Sequence, residues 1–396
     1  MQIESLRLRN FKTYKNVEIV NIPRFCVIVG ANGSGKSTLF DVFGFLKDCL
    51  TNNVSVALRK RGGFHEVVSR NADDESIFIE IQYRMPITGK DRLVTYSLEI
   101  VPDGQKASIK SETLRYKRGQ YGSPFHFLDF SYGSGKAVTN EEDFAKTDED
   151  LNREEQNLDA KDILAIKGLG QFQRFKAAAA LRHLIENWHV SDFHISMARG
   201  IKEPTGDVDH LSTTGDNLQQ VAKTLHEEYP EIFKRVLRKM RERVPGISDI
   251  AAEDTPDGRL LLKFSDGAFK DPFIDKFVSD GTIKMFAYLV LLNDPKPHPF
   301  LCIEEPENQL YPKLLPELAE EFREYADKGG QVFVSTHSPD FLNAVEVSEV
   351  FWLEKHKGFT SVKRASDDPQ IVAYMGEGDK MGFLWKEGFF GQADPL

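Results

Sequence analysis

Apolar positions along this chain fall into strand-like and helix-like patterns, and their order carries the first architectural signal. Within residues 1–20, Ile3, Leu6 and Leu8 lie on one side of a strand, and Val17, Ile19 and Val20 mark a second after a polar turn. Residues 25–29 are apolar without interruption, the pattern of a strand buried on both faces. That run breaks into a glycine-rich loop, after which Thr38, Leu39 and Phe40 open a helix reaching about Leu50. Alternation returns over residues 77–83 and 93–101 and continues to about Phe130, which predicts antiparallel strands. Residues 162–189 read as largely helical, interrupted near Gly168 and Gly170, with Trp188 and Phe193 as core positions. Two further helices are expected over residues 216–228 and 231–244, broken at Pro230. From Arg259 onward strands (260–264, 300–303, 331–335, 350–354) alternate with helices (281–292, 312–328).

This order predicts an α/β nucleotide fold split by insertions, without internal repeats. Residues 1–75 would form its first part and 256–396 its second. Between them lie an antiparallel β lobe (76–139), an acidic flexible loop (140–160) and an inserted helical lobe (161–255). The Arg59-Lys60-Arg61 cluster in residues 51–74 reads as an exposed loop, or else as a contact near the nucleotide or a partner. Gly133-Ser-Gly-Lys136 imitates a phosphate loop, but Phe130 replaces the first glycine and Ala137 the hydroxyl, so a flexible turn is expected.

At 396 residues the chain can bury a large core. Its net charge of −10 gives no general attraction to nucleic acid, so any such contact needs a local basic patch. One candidate is the 231–244 helix, where Phe233, Val236, Leu237, Met240 and Val244 share a face and Lys234, Arg235, Arg238, Lys239, Arg241 and Arg243 occupy the rest. A solvated face is the plain alternative. Cys26, Cys49 and Cys302 are too scattered for a disulfide framework or a metal site, and read as core thiols of a reducing cytoplasm. Neither a secretory leader nor an apolar run long enough to span a membrane is seen.

The chemistry concentrates at four places. Gly30-Ala31-Asn32-Gly33-Ser34-Gly35-Lys36-Ser37, followed by Thr38, is the complete G-x-x-x-x-G-K-[ST] pattern between a strand and a helix. Its glycines allow backbone N–H groups to surround phosphate oxygens, Lys36 reaches the β- and γ-phosphates, and Ser37 holds Mg²⁺. The chain therefore reads as a nucleoside triphosphate binder. Glu304 and Glu305 end an apolar strand, where carboxylates can hold the hydration shell of Mg²⁺ and position attacking water. Residues 331–337 form another strand that ends in Ser-Thr-His, placing His337 to sense the γ-phosphate. Ser279-Asp280-Gly281-Thr282 opens a helix and offers a second phosphate grip, although alone it reads equally well as a cap.

Taken together, LRLRNFKTYKNVEI, GANGSGKST, VSDGTIKMFAYLVLL, LCIEEPENQLYP, VSTHSPDFL and MGEGDKMGFLWKEGFFG resemble the RecF/SMC/OLD-like branch of ABC ATPases, and among them the bacterial predicted ATPases called AAA family, with one compact head. The resemblance implies an ABC-type P-loop ATPase head that uses ATP and Mg²⁺. Two heads would pair head-to-tail, with ATP held between the phosphate loop of one and Ser279 and Gly281 of the other. It implies Glu305 as catalytic base, Glu304 as the acid near Mg²⁺ and His337 as the switch histidine. Lys284 stands where arginine is common, and Gln171 and Gln173 are the candidates for the Q-loop glutamine. A long coiled-coil arm and a Toprim nuclease domain are not expected.

Three functions fit this set. The first is an ATP-hydrolysing dimeric switch controlling a separate effector, as in bacterial anti-phage defence or toxin–antitoxin modules. The second is a RecF-type DNA-binding repair head using the Lys234–Arg243 helix, and the third a scaffold that binds ATP without turnover.

Overall fold

The computed structural model describes residues 2–72, 74–87, 90–116, 125–139, 151–191, 193, 195–200 and 210–391. Its centre is a six-stranded sheet ordered Trp188–Ser191, Phe300–Glu304, Val332–Thr336, Phe25–Gly30, Val350–His356 and Phe359–Arg364. The first five strands are parallel, and the sixth returns antiparallel as a hairpin. Alternate residues of these strands enter different cores. Phe25, Val27 and Val29 face the Asp280–Leu292 and Leu315–Asp327 helices, while Cys26 and Ile28 face the Lys36–Thr51 helix. Burial on both faces explains the unbroken apolar run. On the second face Phe43, Trp188, Phe300 and Phe333 pack ring against ring with centroids as close as 4.6 Å, which anchors the Lys36–Thr51 helix to three strands.

The second sheet has eight antiparallel strands in the order Tyr14–Val20, Gln2–Phe11, Ile77–Ile87, Lys90–Asp103, Lys106–Tyr116, Phe125–Ser131, Ser134–Val138 and Arg153–Asn157. The boundary expected at residue 75 thus cuts through one sheet, because Gln2–Phe11 pairs with Ile77–Ile87. A bulge between Ile3 and Ser5 brings Ile3 to the same side as Leu6 and Leu8 despite their odd spacing. Glu112, buried in this sheet, accepts hydrogen bonds from Ala165 N and Ile166 N and ties the sheet to the next helix.

Several local expectations are corrected. Residues 51–74 include the helices Val54–Arg59 and Phe64–Val67, and Arg61 is ion-paired with Asp41 and Asp48 at 2.7 and 2.8 Å rather than free in a loop. The pseudo-phosphate loop is a turn, as expected, a hairpin at Tyr132 and Gly133, but its remaining residues are strand. Arg153–Asn157 is a strand within the segment expected to be loop, whereas residues 140–150 lie outside the described residues. The segment expected as a helical lobe gives the strand Trp188–Ser191 to the central sheet. Leu260–Asp266 leaves the central fold and joins Ile247–Asp254 and Phe273–Ile274 in a three-stranded antiparallel sheet under the Leu218–Glu228 and Pro230–Arg243 helices.

The basic helix is less available than its sequence suggests. Lys239 and Arg243 both pair with Glu321, which is nearly fully buried; Lys239 also pairs with Glu324 and Lys234 with Glu231. Arg235 and Arg238 remain exposed. Among the described residues no helix is long and apolar enough to cross a membrane.

Candidate nucleotide site

The parallel strands deliver their C-terminal ends to one edge of the central sheet, and the motif residues gather there. After Gly30 the chain turns through a Ser34 N to Ala31 O bond of 3.1 Å and enters the helix at Lys36. Gly35 holds φ at 113°, and a β-carbon there would meet the Thr360 hydroxyl at 2.7 Å, so glycine is required on both counts. The loop is pinned from behind. Tyr14 Oη donates to Gly35 O at 3.0 Å, and Thr360 Oγ1 donates to Ser34 O at 2.6 Å while meeting the Thr13 hydroxyl at 2.9 Å.

The two glutamates have different surroundings. Glu304 Oε2 accepts a 2.8 Å bond from Ser37 Oγ, across 267 positions of sequence. Glu305 has φ of 41°, a left-handed backbone that costs a non-glycine residue about 1–3 kcal/mol and is a feature of functional turns. Its N–H donates to Ser335 O at 3.0 Å, and its Oε2 accepts from Asn308 Nδ2 at 3.1 Å. His337 Nδ1 lies 3.5 Å from Glu305 Oε1 and 3.4 Å from Glu307 Oε1. Glu307 also accepts from Thr336 Oγ1 and His337 N at 2.8 and 2.9 Å, fixing where the histidine leaves its strand.

Lys36 Nζ donates to Gly30 O at 2.7 Å and Ala31 O at 3.3 Å, so the amine is folded over the loop it would serve. Burial lowers its pKa, while Glu305, Glu307 and Glu304 pull it back up. The Ser37 hydroxyl and Glu304 carboxylate form a hard oxygen pair beside this cation, which fits Mg²⁺, and the backbone of the loop fits a polyphosphate.

Ser279 and Gly281 stand elsewhere. Ser279 caps the Asp280–Leu292 helix by accepting from Thr282 N at 3.2 Å, and Gly281 approaches so closely that a β-carbon would lie 2.8 Å from Gln309 O. Among the described residues no hydrogen bond or ion pair joins either of them to residues 30–38. They border an open groove of about 770 Å³ that also includes Tyr311, 64% exposed, near Phe277, 72% exposed. Lys284, on the same helix, donates to Asn308 O at 2.8 Å and so reaches Glu305 through one intermediate. Burial pushes its pKa down to about 8, against the upward pull of Glu307 and Glu305.

Gln171 and Gln173 are exposed and do not reach this edge. Gln171 donates to Lys167 O, and Lys167 grips Thr51 O and Asn52 O at the opposite end of a helix about 24 Å long. The strand lying beside the glutamates is Trp188–Ser191, so the chain leaves the sheet next to them after Ser191. Sequence reasoning gave Tyr14, Thr360, Glu307 and Asn308 no role. Glu307 lay in view within the acidic run, while Thr360 carries no local signal.

Comparison with known proteins places the chain in a family. A family model described as "AAA domain, putative AbiEii toxin, Type IV TA system" matches residues 25–343. Structural maintenance of chromosomes protein 4 of Schizosaccharomyces pombe is 39% identical over 85 residues, 20% of this chain and 6% of that protein. DNA replication and repair protein RecF of Pseudarthrobacter chlorophenolicus is 38% identical over 55 residues, 14% of each. The chain thus spans only a small part of the length of these curated relatives. Among solved structures, an SmcHead bound to the C-winged helix domain of ScpA superposes with a TM-score of 0.55 at 18% identity, covering 92% of this chain and 98% of that one. An Smc head with an extended coiled coil, bound to the C-terminal domain of ScpA derived from Pyrococcus furiosus, gives 0.53 at 16%, covering 94% and 99%. These likenesses are of fold. With the family model covering most of its length, the chain belongs to the AAA-domain, putative AbiEii toxin family and has the head fold of an ABC-type P-loop ATPase of the RecF and SMC branch.

Proposed function

We propose that the chain is an Mg²⁺-dependent ATPase, converting ATP to ADP and phosphate, whose nucleotide cycle pairs and separates two copies of itself. The observation that carries this is the convergence of Lys36, the Ser37–Glu304 pair, Glu305 and His337 on one sheet edge. In this reading the loop from Gly30 to Thr38 binds the triphosphate. Lys36 exchanges its bonds to Gly30 O and Ala31 O for phosphate oxygens, and Ser37 and Glu304 would hold Mg²⁺, whose charge would offset that developing on the phosphate. Glu305 accepts the proton of the attacking water, oriented by Asn308, and His337 reports on the γ-phosphate. Ser279 and Gly281 serve the partner copy. The lack, among the described residues, of any hydrogen bond to their own loop and the exposed Phe277 and Tyr311 close to them support that assignment.

The head would comprise residues 1–75 and 256–396 together with the Trp188–Ser191 strand, which leaves the outer strands of the β lobe and the helices of residues 210–254 to meet other proteins. The family description, with its toxin and type IV TA system, supports a switch that regulates a separate effector in a toxin–antitoxin or anti-phage defence module. Glu305→Gln is expected to retain ATP binding and lower turnover by about 10²–10⁴-fold, the contribution of a general base. Hydrolysis at the wild-type rate would refute the assignment.

A RecF-type DNA-binding role is the second reading, motivated by the curated relative and by exposed Arg235 and Arg238. It requires affinity for DNA that falls steeply with salt, and a flat response removes it.

A further inference from the structure

At the edge of the central sheet where Trp188–Ser191 and Phe300–Glu304 begin, three imidazoles and a carboxylate crowd together, away from the nucleotide loop. His210, from the segment preceding the Leu218–Glu228 helix, lies with Nδ1 2.8 Å from Asp294 Oδ2. Asp294 sits just after the Asp280–Leu292 helix with its side chain only 4% exposed, and its Oδ1 accepts from Lys296 N. His298 packs its ring 4.5 Å from that of His210 and 4.8 Å from that of His189. One ligand atom from each of His210, Asp294 and His298 falls within a 4.8 Å span.

The orientation of His298 is the informative feature. Its Nδ1 is 3.0 Å from Asn187 O, an acceptor that only a protonated nitrogen can satisfy. That bond fixes the tautomer and leaves the lone pair on Nε2, which is buried and has no hydrogen-bond partner among the described residues. His298 is 6% exposed, so water does not readily meet the need. An imidazole held by a backbone carbonyl on one nitrogen, with a bare buried nitrogen on the other, is the arrangement of a metal ligand. A buried carboxylate beside it supplies charge that is costly without a cation. His210 is partly exposed and gives a path for entry.

We infer that His210, Asp294 and His298 form a binding site for a divalent transition-metal ion, with zinc the best match to two imidazoles and one carboxylate. The ion displaces the proton shared between His210 and Asp294, bonds to Nε2 of His298, and completes its shell with water. Its place is structural: it joins the segment carrying His210 to the loop that feeds the glutamate strand, independently of the nucleotide chemistry.

The test is zinc titration of chelator-treated full-length protein in excess Mg²⁺, which occupies oxygen sites, followed by metal analysis. Wild type is expected to hold about one zinc per chain, with at least tenfold weaker binding in His210→Ala and His298→Gln. Cobalt substitution gives a second readout on wild type alone, the visible absorption of a nitrogen- and oxygen-bound ion, and zinc should raise the wild-type melting temperature but not that of His210→Ala. His210 is partly exposed, so that variant keeps the test meaningful if His298→Gln does not fold. Zinc bound equally by wild type and His210→Ala, or by neither, overturns the inference.

Discussion

Replacing Thr360 by valine alters one hydroxyl in a side chain of nearly unchanged shape, and the structure gives that hydroxyl two tasks. It donates to Ser34 O at 2.6 Å and meets the Thr13 hydroxyl at 2.9 Å, in a position where Thr360 is 4% and Ser34 3% exposed. Valine leaves a buried carbonyl without its donor, a cost of about 1–3 kcal/mol. If the loop escapes by shifting, the same energy must be returned when it reforms around phosphate, which weakens ATP affinity by about 5- to 150-fold. Urea unfolding and calorimetric ATP titration read the two forms of the penalty. Thr360→Ser keeps the hydroxyl and should stay near wild type in both. The reasoning is refuted if Thr360→Val matches wild type in stability and in ATP affinity alike.

Other perturbations have directions set by burial and charge. Lys284 has its pKa lowered from 10.5 to about 8, so the unfolded chain binds more protons than the folded one between those values. The penalty, about 3 kcal/mol, is fully present below pH 8 and fades as pH rises toward 10.5. Urea unfolding from pH 7 to 10 should show this rise in wild type and lack it in Lys284→Met; parallel profiles would contradict it. Glu321→Gln removes the buried carboxylate shared by Lys239 and Arg243, 11% and 15% exposed, and leaves the more exposed Glu324 beside the lysine and Glu317 beside the arginine, for an expected loss of about 1–3 kcal/mol in unfolding free energy. A variant of unchanged stability would mean that Glu324 and Glu317 suffice for those cations and that the shared buried carboxylate adds nothing.

The phosphate loop was legible in sequence because its strand, glycines, lysine and helix are contiguous, and local chemistry alone positions them. The acids and His337 were legible for the same reason, since each ends an apolar strand buried on both faces. What escaped depends on long-range contact. Thr360 reaches Ser34 across 326 positions, and nothing in its own surroundings marks it. Trp188–Ser191 is a four-residue strand that carries a histidine, so its apolar signal is too short to separate it from the helix before it. Gln171 and Gln173 matched by residue type, but they sit in the turn between the Ala165–Leu169 and Lys176–Glu186 helices, beside the far end of the phosphate-loop helix. Ile247–Asp254 is polar along much of its length because one of its faces is open. The basic Pro230–Arg243 helix was misjudged because its partner acids lie on the Leu315–Asp327 helix, about 80 positions away.

The composite site is tested most directly by mixing two inactive variants, Lys36→Ala and Ser279→Arg, at equal concentration and measuring ATP hydrolysis. If each site takes its phosphate loop from one copy and Ser279 from the other, a mixed dimer holds one site with both parts intact. Random pairing then restores about a quarter of wild-type activity. Activity that stays at the level of the separate variants, with mixed dimers shown to form, would contradict a site shared between two chains.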